Sequence, residues 1–132
     1  MSAASDYLEN KVLDHVLTGS AYSQPAARYL ALFTANTGLE SNSPSAEIST
    51  SGTAYSRQAV TFAAASSGQS ATNATVTFST ATANWGTITH VAVMDQSTSG
   101  NVLFWGAVTT SKTIETGDTF QVSSGNLTVS LA

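Results

Sequence analysis

From position 28 onward the chain is a succession of short apolar or alternating runs, separated by stretches rich in Gly, Asn, Ser and Thr. That punctuation leaves room for strands and little room for helices of ordinary length. The runs fall at residues 28–34, 55–62, 76–78, 88–95, 102–108, 112–114, 119–122 and 126–131. About seven or eight short strands with frequent turns predict a mainly β, antiparallel β-sandwich.

Within this frame, Leu30, Leu32, Tyr29 and Phe33 suit a largely buried strand, and Val60 and Phe62 should point inward. Residues 88–95 read as a central strand that turns through Ser97 to Gly100 into 102–108 as a hairpin. A last hairpin is expected between 119–122 and 126–131, around Ser124 and Gly125. Residues 63–72 read as a loop of small residues. Residues 36–53 carry Gly38, Pro44, Gly52 and many Ser and Thr, and exceed the usual loop limit of about 12–15 residues. Such a loop should be either mobile or held by a partner.

The segment before these runs has a different period. Ser5 can cap a helix, Asp6 favours its positive end, and Gly19 sits where a C-terminal cap belongs. Leu8, Val12 and Val16 form one stripe at helical spacing. Leu13 and Leu17 form a second, with Glu9 between the two. Two stripes would let the helix touch two neighbours, or make one broad contact with its own core. The chain thus divides into an N-terminal helix, 1–19, packed on or beside a sandwich domain, 20–132, as a single domain overall.

Only 9% of the residues are charged, against about 25% in ordinary soluble domains. With four Lys plus Arg and a net charge of −4, the chain is a poor binder of phosphate backbones or anionic membranes, so neither nucleic acid nor membrane is expected as a partner. No apolar stretch approaches a membrane span, and no secretory signal is visible. The absence of Cys removes disulfides and thiolate metal sites. His15 and His90 lie far apart with no metal-ligand spacing. No serine sits in a nucleophile elbow and no glycine run cradles phosphate. No catalytic, metal or cofactor site is therefore expected, and the chain should not be an enzyme. Asp95 and Asp118 stand beside turns, where Asp bonds local backbone.

The residues left for function are contact residues. Tyr7, Leu8, Val12, Leu13, Val16, Leu17 and Tyr22 are interface candidates. Arg57 reads either as a clamp on the long loop before it or as a contact to an acid of another subunit, such as Glu40 or Glu47. Trp85 and Trp105 suit core or interface anchors; exposed, they would offer a sugar-stacking surface.

The ordered set 5–15 (SDYLENKVLDH), 19–22 (GSAY), 29–34 (YLALFT), 55–62 (YSRQAVTF), 83–90 (ANWGTITH), 117–120 (GDTF) and 125–129 (GNLTV) resembles a family of small tailed-phage virion proteins. Members of that family are commonly labelled phage tail fibre proteins. Similar small β-sandwich proteins serve as capsid cement or decoration proteins, usually as trimers on the outer shell of the head. The resemblance implies a non-enzymatic structural role in the virion. The leading expectation is a cement protein that forms a homotrimer and bridges subunits of the major capsid protein. The alternative is a tail fibre or tail-tip domain that binds host surface glycan. The lone compact domain, with no heptad stalk or repeat, favours the first.

Overall fold

The computed structural model describes residues 3–131. Its elements are β1 (Ala3–Ala4), α1 (Asp6–Leu13), a π-helical turn (Asp14–Thr18), β2 (Tyr29–Phe33), β3 (Gln58–Ala59), β4 (Gln69–Ala71), β5 (Val76–Thr77), β6 (Gly86–Met94), β7 (Val102–Ile114), β8 (Gln121–Val122) and β9 (Thr128–Ser130). A five-stranded sheet runs in the order β1-β7-β6-β2-β3, with every pairing antiparallel. Two further antiparallel pairs, β4 with β9 and β5 with β8, complete a sandwich-like, mainly β architecture with one short N-terminal helix.

Alternation along β2 explains why both faces of the large sheet are dry at its centre. Leu30 and Leu32 enter the main core with Val60, Val76, Phe78, Trp85, Ile88 and Phe120. Ala31 and Phe33 point the other way and pack with Leu39, Ala92, Met94 and Val102. Leu39 comes from the long 36–53 loop and is fully buried. The loop therefore acts as a lid over the second face. The expectation that it is mobile or held by a partner is corrected: its own chain holds it, because Leu39 fills a dry site on the second face and Ile48 enters the main core. Main-chain bonds fix the lid, from Thr34 N–H to Ala46 O at 3.0 Å, Ile48 N–H to Leu32 O at 3.2 Å and Ser43 N–H to Gly38 O at 2.7 Å. Gly38 is needed there, since its φ is +76° and a Cβ would lie 1.9 Å from the Ser43 carbonyl oxygen.

The main core is aromatic at one end. Tyr55 stacks on Phe78 with centroids 6.1 Å apart, and Trp85 meets Tyr55 edge-on at 5.4 Å. Phe120 meets Phe78 edge-on at 5.8 Å. These edge-to-face geometries are the ones the ring quadrupoles favour.

Three strand expectations change. Residues 112–114 are not a separate element but the end of β7, which runs 13 residues. The last hairpin does not form: β8 pairs with β5, Val122 opposite Val76, and β9 pairs with β4, Val129 opposite Ser70. The Gly125 N–H donates to Thr72 O at 2.7 Å, so the turn at 124–125 is anchored on a neighbouring segment. Residues 63–72 are not all loop, because β4 lies within them.

The helix begins where predicted. Ser5 is extended, its Oγ accepts from Leu8 N–H, and the same hydroxyl donates to Val102 O across the edge of β7. The cap thus ties α1 to the sheet as well as starting it. Gly19 ends the segment at φ +79°.

Candidate functional site

Most interface candidates lie on α1 and its π-helical extension, which the sheet positions through Ser5. Leu8 is buried in the main core, and Tyr7, Val12 and Tyr22 are partly buried against it. Beyond Val12 the contact stops. Leu13 is 53% exposed, Val16 70% and Leu17 73%. Of the two expected readings of the helix, the broad contact with its own core is not found: Leu8 and Val12 meet the core, and Leu13, Val16 and Leu17 do not. The π-helical turn contains no buried residue. His15, within it, accepts the Tyr22 N–H at Nδ1 (3.0 Å) and folds the following segment back toward the sheet. Lys11 lies over the Tyr7 ring, 5.7 Å from its centroid.

Beside this helix, an apolar groove of about 400 Å³ opens between the large sheet and β9. Leu8, Tyr22, Phe62, Leu103, Phe104 and Leu131 are among its walls. A second groove of about 440 Å³ continues along β7 toward β8 and shares Val93, Phe104 and Val129 with the first. The sandwich is open along this flank.

Arg57 is engaged inside the chain. Its Nε and Nη2 donate to the two carboxylate oxygens of Glu47, both at 2.8 Å. Its Nη1 donates to Gln96 O at 2.8 Å and Ser99 O at 2.7 Å. One guanidinium therefore clamps the lid loop and the β6–β7 turn together, with four of its five N–H groups engaged inside the chain. Burial pulls its pKa down, but the hydrogen bonds and charge of Glu47 prevail and raise it. The Tyr55 hydroxyl joins the pair, donating to Glu47 Oε2 at 2.7 Å and accepting from Leu32 N–H at 3.0 Å. Burial first, and the adjacent Glu47 charge second, push the Tyr55 pKa well up.

The aromatic expectation divides. Trp85 is 5% exposed and its Nε1 donates to Thr53 O at 2.8 Å, so it is a core anchor and is corrected as a sugar-stacking candidate. Trp105 is half-buried, donates to Glu40 Oε2 at 2.9 Å and lies 6.2 Å from the ring of His90. Asp95 and Asp118 bond local backbone as expected, accepting from Asn101 N–H at 2.7 Å and Glu115 N–H at 2.9 Å.

Sequence reasoning missed two groupings. Asn42 and Asn101 bond each other at 2.9 Å, and Asn42 Oδ1 accepts from Val102 N–H at 2.8 Å, stitching the lid to β7. Asp6, Glu9 and Glu40 bring carboxylate oxygens within 4.8 Å of one another at the exposed N-terminal end of α1. Their meeting depends on the bond from Asp6 N–H to Glu40 O at 2.9 Å, which no local pattern announces.

The model of a family described as podophage GP4 fiber I protein gp80 matches residues 3–130. The chain belongs to this family. The match spans every element from β1 to β9 and agrees with the resemblance to small tailed-phage virion proteins. As a fibre I family member, the chain is a phage virion structural protein. No curated protein matches the chain.

Proposed function

We propose that the chain is a non-enzymatic structural unit of the phage particle that works through protein–protein contact as part of a fibre. The observation that carries this reading is the helix end: Leu13, Val16 and Leu17 stand exposed together, and among the other described residues Leu131 alone of the large apolar side chains is as open. Exposed apolar clusters of this kind mark contact surfaces. The fibre-protein name of the family supports the placement. A non-enzymatic role is supported by the separate local partners of the two histidines, Tyr22 for His15 and Thr89 for His90.

A second reading is favoured by shape. The described residues fold into one sandwich, with the long loop drawn in as a lid. Such a unit suits a homotrimeric cement protein on the head surface, bridging major capsid subunits.

Gold-labelled antibody against the chain, applied to intact particles, tests both. Label on the fibres supports the first reading, and label distributed over the shell transfers it to the second. Particles without label, when the chain is detectable in the infected lysate, overturn both.

A further inference from the structure

The helix end and the apolar groove are complementary surfaces on one chain. The groove is walled by Leu8, Tyr22, Phe62, Leu103, Phe104 and Leu131, and Leu131 is 57% exposed. Among the described residues, Arg28 is the charged one in its lining, and no acid lines it. Among the described residues, the hydrogen bond shown for the Arg28 guanidinium goes to the neutral Gln24, at 3.3 Å. The helix end offers the opposite set. Leu13, Val16 and Leu17 supply apolar side chains. Asp14, beside Leu13, supplies negative charge. Lys11, the cation of this helix, is turned onto Tyr7.

The helix cannot fill its own groove. Leu8 of the same helix forms part of the groove wall, and a rise of about 1.5 Å per residue carries Leu17 on the order of 13 Å beyond it. We propose that the helix end of one copy seats in the apolar groove of a second copy, with Asp14 facing Arg28. Each copy carries one helix end and one groove, so the assembly closes either by reciprocal exchange across a two-fold axis or as a ring. Apolar area supplies the association, and the single cation on the rim sets the direction in which the helix lies. This inference rests on the reading that the chain works through protein contact, and is independent of its place in the particle.

Sedimentation equilibrium of the purified chain over a wide concentration range tests it. The expected result is a discrete oligomer, weakened at least tenfold by Leu17→Asp and by Ala65→Arg, which plugs the groove from an exposed position. Arg28→Glu should weaken it too, and Asp14→Arg in the same chain should restore it. Since the chain has no Cys, Leu17→Cys on one population and Ala65→Cys on another should form a disulfide only between chains of the two kinds. A monomer at every concentration overturns the proposal while leaving the particle labelling to decide the function. An oligomer unmoved by Leu17→Asp, or by Ala65→Arg, overturns it as well.

Discussion

The lid loop at 36–53 and the helix end at 13–18 are both surface segments, and they end in opposite states. The loop is polar and rich in Ser, yet buried Leu39 and Ile48, the Arg57–Glu47 pair and bonds from Asn42 and the main chain bind it to its own chain. The helix end is rich in large apolar residues, yet none of them is buried. The difference lies in what each segment finds beneath it. The loop passes over an uncovered sheet face, where Leu39 completes a cluster with Phe33 and Met94. The helix leaves the sheet edge at Ser5 and runs past the core after Val12. Apolar content therefore does not decide which segment is held; geometry at the point of departure from the sheet does.

The comparison can be broken first at the lid. Leu39→Ala should cost about 3 kcal/mol, the usual loss for a fully buried leucine that leaves a cavity, read as a lower urea midpoint. Arg57→Ala should cost about 2–3 kcal/mol, because it leaves the Glu47 carboxylate beside Tyr55 without its partner and frees the β6–β7 turn. Ser5→Ala comes next, at about 1–2 kcal/mol, since the hydroxyl serves both the helix cap and the Val102 carbonyl. Leu17→Ser should change the stability of the isolated chain by less than about 0.5 kcal/mol, although it is as apolar a residue as Leu39. Equal losses at Leu39 and Leu17 would erase the contrast.

The lid also makes a pH prediction. The Tyr55 pKa is raised in the folded state above its ordinary value of about 10. A group raised in this way contributes stability that is fully present below the unfolded pKa and is lost as pH rises toward the folded one. Stability from this group should therefore be flat below about pH 10 and fall above it, by at most about 1.4 kcal/mol per pH unit. Denaturant titrations of the wild type and Tyr55→Phe at pH 9 and above check this. The variant should lack the Tyr55 part of the fall; parallel curves would remove the buried hydroxyl from the account.

What could be read in advance follows the range of the interactions. The Ser5 cap, the Gly19 stop and the β6–β7 hairpin are local, and residue types within a few positions of one another encode them. The β4–β9 and β5–β8 pairs are two or three residues long and join positions far apart, Ser70 with Val129 and Val76 with Val122. Strands that short carry no alternation of their own, so the nearer but absent hairpin looked equally good. The helix stripes were legible as apolar, but whether a stripe meets its own core depends on the angle at which α1 leaves the sheet. Arg57 was legible as a clamp candidate because it follows the long loop, but its partner Glu47 was legible only as an acid of another subunit; Leu39 was not legible, since a lone leucine among Ser, Gly and Asn gives no period.

The central claim is that the exposed helix end is a contact surface of a virion structural protein. A cryo-electron map of particles carrying this chain, resolved well enough to trace α1, tests it most directly. The account predicts Leu13, Val16 and Leu17 buried against protein density. A traced chain with those three side chains bare to solvent would contradict it.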